Sequence, residues 1–367
     1  MSSGKGISRK EFLRRSIRFG GGLIGGGLMG GGLMGSAHFP WSSESGDAVP
    51  QDDTELTTFL QNDRTITILY TNDTHARIDP FPETAREFAM LGGVARRAHL
   101  IKQIRQTHQH VILLDAGDVF QGTPWFQLYG GEVDLRVMSE MGYDAMVIGN
   151  HEFDLGVEHL AEVAAHAKFP MLAANYRVHN TPLKNTIRPL TVLRRGSVRI
   201  GVFGVGIGLE GVVPKNLYGD IQMYETLTRA RYMADSLRTF HKCDLVICLS
   251  HLGHQHSGGS NRPSTPDDLT LAQQVPGIDL IIGGHTHTFL DEPVQAQNPS
   301  GKTTLVTQMG HSGVRLGKLE INPECWQDTG TYRASFYEVG TALSTNPPRI
   351  RSCSTHDDLP SSRIEFR

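Results

Sequence analysis

Short runs of apolar residues recur along the chain from Arg64 onward, and each run ends in a cluster of polar residues. The runs are rich in β-branched residues and are too short for most helices, so they predict buried strands. The predicted strands are Ile66–Tyr70, Val111–Leu114, Ala145–Ile148, Met171–Ala174, Ile200–Val205, Leu245–Leu249 and Leu280–Ile282, followed by Thr304–Met309, Leu316–Ile321 and Tyr332–Val339.

Between several of these strands, apolar residues recur with the spacing of one helix face. Val94–Gln106 shows the pattern, with apolar residues three or four positions apart, and it predicts an amphipathic helix. Similar stretches are Leu135–Met141, Val157–Ala167 and Leu227–Phe240. Alternating strands and helices predict an α/β fold. After Thr303 the strands follow one another with no predicted helix between them, which indicates a mixed sheet or a second sheet.

The first residues have the pattern of an export signal. A basic segment (8–15) precedes a stretch rich in Gly, Leu and Met (19–34), and small residues lead to Ala37. This order predicts a signal peptide over residues 1–37, similar to a twin-arginine signal but with Lys10 in place of the second arginine. The glycines make the stretch too weakly apolar for a stable membrane span. The protein is therefore expected to be exported, periplasmic or secreted; the alternative is a flexible low-complexity leader.

Length, charge and cysteine content limit the domain organisation and the kinds of binding site that the chain is expected to have. The 367 residues are enough for one large α/β domain, and residues 38–63 are expected to form a flexible linker. The net charge of -3 does not indicate a nucleic-acid-binding surface. The four cysteines lack the spacing of a zinc or redox site, and a disulfide between Cys325 and Cys353 stays open.

Five of the predicted strands run directly into residues that bind hard metal ions. These clusters are Asn72-Asp73-Thr74-His75, Asp115-Ala116-Gly117-Asp118, Gly149-Asn150-His151-Glu152, Ser250-His251 and Gly283-Gly284-His285-Thr286-His287. In open α/β sheets, ligands bind beyond the carboxyl ends of the strands. Five such ends from one sheet are expected to converge on one crevice.

The kinds of side chain in these clusters restrict the chemistry. The candidate ligands are Asp73, His75, Asp118, Asn150, His251, His285 and His287. They are too many for one tetrahedral zinc and suit two divalent ions that share one carboxylate. Carboxylate, imidazole and amide ligands favour Zn, Mn, Fe or Co. The alternation in Asp-x-His and His-x-His would place both side chains on one face of a regular strand.

Each cluster taken alone also has an ordinary explanation. Asp115-Ala116-Gly117-Asp118 has the composition of a turn, and His251 is compatible with a hydrogen-bonded histidine of the core. The occurrence of all five clusters in this order, each after a strand, favours a metal site. For the other histidines two readings stay open: His254, His256 and His311 either border the site or are ordinary loop residues.

The order Asp-x-His, Gly-Asp, Gly-Asn-His-Glu, His and Gly-His-x-His resembles the calcineurin-like metallophosphoesterases. Ile66–Ile78 and Tyr143–Asp154 are similar to the two signatures of the 5'-nucleotidase branch. The resemblance covers residues 64–325. It implies a four-layer α/β/β/α sandwich of two mixed sheets flanked by helices. A catalytic domain is expected over residues 64–342, and a polar tail over 343–367.

The resemblance also implies roles for the ligands. One metal would be held by Asp73, His75, Asp118 and His287. The other would be held by Asp118, Asn150, His251 and His285, so that Asp118 bridges the two. Some relatives carry an amide where His287 stands.

His151 and Asp154 are the expected catalytic pair. His151 is adjacent to Asn150 and would protonate the leaving group, while Asp154 would fix the tautomer and orientation of its ring. The resemblance implies the same roles. The alternative for Asp154 is the N-cap of a helix that begins at Leu155; both roles are compatible.

The expected reaction is hydrolysis of a phosphate ester by a hydroxide that bridges the two metals. The first expectation for the substrate is a nucleotide or nucleotide sugar, as for a 5'-nucleotidase or UDP-sugar hydrolase. The alternatives are a broad phosphomonoesterase or a (cyclic) phosphodiesterase, and more remotely a non-catalytic metal-binding scaffold. Relatives carry a C-terminal domain that binds the base, so a separate polypeptide is an expected candidate for that role here.

Overall fold

The computed structural model describes residues 64–256, 266–340, 344–345 and 349–351. The predicted signal peptide and linker, most of the predicted tail, and Cys353 of the open disulfide pair lie outside these residues. Among the described residues, no helix combines the length and the apolar character that a membrane crossing requires.

The strands in chain order are β1 (Ile66–Thr71), β2 (Val111–Asp115), β3 (Ala145–Val147), β4 (Met171–Leu172), β5 (Tyr176–Arg177), β6 (Ile187–Arg188), β7 (Leu190–Arg195), β8 (Val198–Gly206), β9 (Gln222–Met223), β10 (Leu245–His251), β11 (Leu280–Gly283), β12 (Val294–Gln297), β13 (Thr303–Thr307), β14 (Arg315–Ile321), β15 (Tyr332–Glu338), β16 (Ser344–Thr345) and β17 (Arg349–Arg351). The helices are α1 (Val94–Thr107), α2 (Pro124–Tyr129), α3 (Glu132–Met141), α4 (Gly156–Val163), α5 (Lys215–Tyr218), α6 (Thr226–Thr239), α7 (Asp268–Gln274) and α8 (Pro323–Thr329).

These strands form two mixed sheets and a short ribbon. The first sheet has the order β16-β15-β14-β1-β2-β3-β4-β6, with β17 paired to β15. In this sheet β1, β2 and β3 are parallel, whereas β14 is antiparallel to β1. The second sheet has the order β12-β13-β11-β10-β8-β7, in which β8, β10, β11 and β13 are parallel. Strands β5 and β9 form the ribbon.

Alternation along the strands builds three apolar layers. In β1, Ile68 and Tyr70 pack between the two sheets, together with Ile247 of β10. Leu69, between them in sequence, packs on the other face against helix residues such as Leu100 of α1. The outer face of the second sheet packs against α6 and α7. The predicted α/β/β/α sandwich of two mixed sheets is therefore confirmed.

One prediction about the later part of the chain was wrong, because helix α8 lies between β14 and β15. Asn322 caps this helix by accepting a hydrogen bond from the backbone N–H of Glu324, and Pro323 occupies its first turn. Both features favour a helix start. The helix is short and shows no apolar period that would have predicted it. Strands β16 and β17, within the predicted tail, pair with β15.

Candidate metal centre

The predicted ligands lie where strands of both sheets end. In the first sheet, Asp73 and His75 follow β1, Asp118 follows β2 and Asn150 follows β3. In the second sheet, His251 is the last residue of β10, and His285 and His287 follow β11. The expectation that the five strand ends belong to one sheet was therefore wrong. The two sheets instead bring their carboxyl-end loops together over the core that they share.

The loops that carry these ligands leave the strand conformation. Asp73, His75, Asp118, His285 and His287 all have positive φ, between 47° and 72°. Few residues other than glycine adopt this left-handed region, and such residues cluster at functional sites. The two residues of each Asp-x-His or His-x-His pair are therefore not on one face of a regular strand, as the alternation had suggested. The turning backbone brings their side chains together.

The first group of ligands, the Asp73 group, consists of Asp73, His75 and His287. Nε2 of His287 lies 3.3 Å from Oδ1 of Asp73 and 2.9 Å from Nε2 of His75. Asp73 is fully buried, whereas the side chain of His287 is 41% exposed. The group is therefore open to solvent on one side, where a substrate can enter.

The second group, the Asp118 group, contains Asp118, His251 and His285, whose ligand atoms lie within 4.8 Å of one another. Asn150 joins them, because its Oδ1 lies 2.9 Å from Nδ1 of His285. All seven predicted ligands are thus gathered into two adjacent groups. The two groups divide the ligands as the resemblance implied, except that Asp118 belongs to only one of them. The binding of ions by these residues and the bridging role of Asp118 stay predictions.

Backbone carbonyls orient two of the histidines. Nδ1 of His251 donates to the carbonyl oxygen of Ala116 at 2.6 Å, and Nδ1 of His75 donates to that of Phe120 at 3.1 Å. A carbonyl oxygen only accepts, so each Nδ1 carries the proton. Nε2 of each ring then keeps the lone pair that a metal requires, as is usual for metal-binding histidines.

Two observations test whether a metal fits among these residues. Nε2 of His251 is buried and has no hydrogen bond of good geometry, although Oδ2 of Asp118 lies 3.0 Å away. Gly149 leaves the space beside these atoms free, since a Cβ there would lie 2.2 Å from Oδ1 of Asp118 and 2.8 Å from Nε2 of His251. An unpartnered ring nitrogen beside a carboxylate suits a divalent cation.

The pKa shifts of the ligand histidines also indicate that the site attracts a positive charge. Burial lowers the pKa of His251, but the charge of Asp118 outweighs it and raises the pKa to about 10. His285 shows the reverse, because burial and the neighbouring His251 lower its pKa to about 4. The carboxylate of Asp118 therefore attracts a positive charge into the group.

His151 and Asp154 form the predicted pair. Nδ1 of His151 lies 3.1 Å from each carboxylate oxygen of Asp154. The alternative role of Asp154 as a helix N-cap is wrong, because the residue at the N-cap of α4 is Leu155 and the helix has no side-chain cap. Asp154 ends the single 3-10 turn of His151–Phe153 instead.

Sequence reasoning missed the role of Glu152. Its carboxylate accepts hydrogen bonds from the backbone N–H groups of Gly149 at 2.6 Å, Asp118 at 3.0 Å and Val119 at 2.8 Å. It therefore holds the Asp118 loop against the Asn150 loop. Burial, and secondly the charge of Asp118, raise the pKa of Glu152 to about 7. A single acidic residue inside a motif carries no signal that distinguishes this role from that of a ligand.

Two amides that the sequence did not single out fix the other ligand loops. Asn72 donates to Oδ2 of Asp73 at 2.6 Å and accepts from the backbone of Met309 at 2.8 Å. Gln308 donates to the carbonyl oxygen of Gly284 at 2.6 Å. Both amides are buried, so they tie the loops after β1 and β11 to the loop after β13.

The remaining histidines differ in their positions. The ring of His311 lies 4.9 Å from that of His287, so His311 borders the Asp73 group. His254 and His256 lie in the loop after β10, where their backbone N–H groups donate to Thr286 and Asp267.

Comparison with known proteins agrees with this fold. The chain matches the family model of the calcineurin-like phosphoesterases over residues 66–289. It is 36% identical to the 5'-nucleotidase of Homo sapiens over 312 residues, which are 82% of this chain and 52% of that protein. It is 37% identical to the snake venom 5'-nucleotidase of Naja atra over 279 residues, which are 70% of this chain and 50% of that protein. The chain spans about half the length of these relatives.

Among solved structures, the 5'-nucleotidase precursor from Thermus thermophilus resembles the chain with a TM-score of 0.62 and 30% identity. The likeness covers 78% of this chain and 54% of that one. The family model alone spans more than half of the sequence. The chain therefore belongs to the calcineurin-like phosphoesterase family, in the branch that contains the 5'-nucleotidases.

Proposed function

We propose that this chain is an exported phosphohydrolase that binds two divalent metal ions and hydrolyses nucleoside 5'-phosphates or nucleotide sugars. The observation that carries the proposal is the convergence of the Asp73 group and the Asp118 group beside the His151–Asp154 pair. The relatives named 5'-nucleotidase support the substrate class. The leader pattern supports export, as does a relative named as a snake venom protein.

In this proposal the two ligand groups hold one ion each. Asp73, His75 and His287 bind the first ion, and Asn150, His251 and His285 bind the second. Asp118 is shared between the two ions. When bound, such a pair neutralises charge on the phosphoryl oxygens and makes a water molecule a better nucleophile at neutral pH. Zn, Mn, Fe and Co all suit this ligand set.

The contribution of the surrounding residues is rigidity. Ala116 and Phe120 fix two ligand rings through their carbonyl oxygens, and Glu152 fixes the backbone of Asp118. Groups that are already in place need no reorganisation as the phosphoryl group reacts, which is the main source of electrostatic stabilisation in such sites. The ligand side chains would therefore hold the ions, and through them the phosphoryl group, in one orientation.

His151 would supply the proton that the leaving oxygen requires. Burial lowers its pKa, but the hydrogen bond to Asp154 and the charge of Asp118 raise it above the usual value. These two interactions favour the protonated form of the ring. With Nδ1 bound to Asp154, Nε2 is the nitrogen that passes the proton.

A substrate screen tests the function. The full chain, loaded with Mn²⁺ or Zn²⁺, is assayed on AMP, a cyclic nucleotide, a UDP-sugar and bis(p-nitrophenyl) phosphate. We expect the highest kcat/KM on AMP or the UDP-sugar. A clear preference for the cyclic nucleotide or the p-nitrophenyl diester would make the chain a phosphodiesterase. The absence of any hydrolysis by metal-loaded protein would leave only the scaffold alternative.

A further inference from the structure

A cavity of about 360 Å³ lies between the loop before α1, the start of β14, the end of β15 and the loop after β11. Its lining includes Glu87, Phe88, Leu91, Phe289, Arg315 and Glu338. The volume is within the usual range for small-molecule sites. We call this cavity the Phe88 slot. None of its lining residues is among the predicted metal ligands or the His151–Asp154 pair, so the proposed chemistry does not use it.

Two aromatic rings form one side of the slot. The ring centroids of Phe88 and Phe289 are 5.7 Å apart, and the rings are inclined by 37°. Both side chains are half-buried, so part of each ring is available to a ligand. Aromatic faces of this kind stack with flat heteroaromatic rings.

The position of both rings is fixed by the backbone. Phe88 has a φ of 58°, which is unusual for a bulky residue. Its loop is closed by backbone hydrogen bonds between Phe81 and Leu91 at 2.8 Å and between Met90 and Phe81 at 3.2 Å. Phe289 packs directly over Gly310, where a Cβ would lie 2.1 Å from its ring. The two rings are thus held in place before any ligand arrives.

The slot is connected to the candidate metal centre by one residue. The ring of His311 lies 5.4 Å from that of Phe88 and 5.8 Å from that of Phe289. On its other side it lies 4.9 Å from the ring of His287, a member of the Asp73 group. His311 therefore lies between the slot and the Asp73 group, and its ring is in contact with both.

Charged groups at the slot add hydrogen-bonding capacity. The carboxylates of Glu87 and Glu338 are exposed and can accept hydrogen bonds from the N–H groups that nucleobases carry. The Arg315 guanidinium lies 4.8 Å from the centre of the Phe289 ring and 2.8 Å from Oδ1 of Asp291. It therefore contacts the Phe289 ring at the slot and is itself held by a carboxylate.

We infer that the Phe88 slot binds the base of a nucleotide whose phosphate lies at the candidate metal centre. The inference rests on the proposed function, because that function places the phosphate at the candidate metal centre. It adds the part of the chain that selects the substrate. Aromatic faces, hydrogen-bond acceptors at the rim and a position next to the Asp73 group, with His311 between them, fit a nucleobase. A sugar phosphate without a base would leave the slot empty.

The test separates the base from the phosphate. The full chain and its Phe88→Ala variant are assayed with AMP and with ribose 5-phosphate, which lacks the base. Loss of one stacking face is expected to lower kcat/KM for AMP about tenfold and to leave that for ribose 5-phosphate unchanged. The matched control is Phe240→Ala, which removes an exposed ring on the surface beyond α6 and should alter neither value.

A binding measurement makes the result independent of catalysis. Adenosine, which has no phosphate, is titrated into metal-free protein by calorimetry or saturation-transfer NMR. Its Kd is expected to rise about tenfold in Phe88→Ala and to be unchanged in Phe240→Ala. Phe88→Leu, which keeps apolar volume but removes the aromatic face, serves as a second variant if the alanine variant is unstable.

The outcomes separate the slot from the function. If AMP and ribose 5-phosphate lose activity together, or if adenosine binds the Phe88 variants as it binds the unaltered chain, the inference is overturned. If no phosphate ester is hydrolysed but adenosine binding still depends on Phe88, the proposed function fails and the slot stands.

Discussion

The backbone N–H of His151 donates a hydrogen bond to Oδ1 of Asp118 at 2.8 Å. The residue that is proposed to bind both metals thus also holds the residue that is proposed to protonate the leaving group. The other carboxylate oxygen, Oδ2, lies 3.0 Å from Nε2 of His251. The two oxygens of one side chain therefore have different neighbours.

Substitution of His151 by alanine is expected to slow the reaction without releasing metal. The variant loses the proton donor, so kcat should fall by about 10²–10⁴, while both ligand groups are intact. Steady-state rates and metal content of the same preparation measure the two effects. His179→Ala, at an exposed position, should change neither. A variant that lost its metal would show that His151 is a ligand.

Substitution of Asp118 by asparagine is expected to weaken the binding of both ions together. Asparagine keeps the shape but removes the charge that the two ions share. Metal content after dialysis, measured by elemental analysis at several metal concentrations, shows whether the two ions leave in one step. Asp220→Asn, an exposed acid away from the site, is the control. Loss of one ion with full retention of the other would contradict a bridging role.

Gly149→Ala is expected to disturb the Asp118 group more than it disturbs folding elsewhere. The new Cβ would lie 2.2 Å from Oδ1 of Asp118, so the carboxylate has to move and metal affinity should fall at least tenfold. Gly301→Ala is the comparison, because a Cβ at Gly301 meets nothing within 4 Å, while its φ of 72° still costs stability. Calorimetric titration with Zn²⁺ should therefore separate the variants. Equal metal affinity in both would refute the crowding argument.

Glu320 provides a prediction about pH that does not involve the site. It is buried on β14, with Nζ of Lys318 at 3.4 Å and Nε2 of His108 at 3.3 Å. Burial alone would raise its pKa, but the hydrogen bond to His108 and the charges of Lys318 and Arg333 lower it below the usual value. A carboxylate with a lowered pKa stabilises the fold above its unfolded pKa, and the stabilisation disappears as the pH falls through the folded pKa.

Glu320→Gln should therefore destabilise the chain by about 2 kcal/mol at pH 7. The deficit should shrink as the medium is acidified below the usual glutamate pKa. Urea unfolding at pH 7 and pH 4 measures both values. Glu324→Gln, on the more exposed side chain at 58%, should show a much smaller effect. A deficit that does not change with pH would mean that packing, rather than charge, explains it.

The central strands could be predicted because the sandwich buries them on both faces. Ile66–Thr71 and Leu245–His251 are buried at every position, and a continuous apolar run reports such burial directly. Edge strands do not give that signal. Leu190–Arg195 and Val294–Gln297 have mostly partly exposed or exposed side chains, and the sequence did not identify them as strands.

The candidate ligands could be predicted because chemistry and position agree, whereas their surroundings could not. Asp73 and His251 follow or end apolar runs and have metal-binding side chains. Glu152, Asn72 and Gln308 act through hydrogen bonds to the backbone of distant loops. These hydrogen bonds depend on the conformations of the loops, and a single sequence does not show those conformations.

Both ligand groups draw on both sheets: Asp73 and Asp118 follow strands of the first sheet, and His287 and His251 belong to the second. The packing of the apolar layer between the sheets therefore determines the distance between the ligands of the first sheet and those of the second. Ile247 lies in this layer and is not a candidate ligand. A substitution such as Ile247→Val would still shift the ligands of the second sheet relative to those of the first. Mutations in the apolar core between the two sheets are consequently expected to affect the site, although they replace none of its ligands.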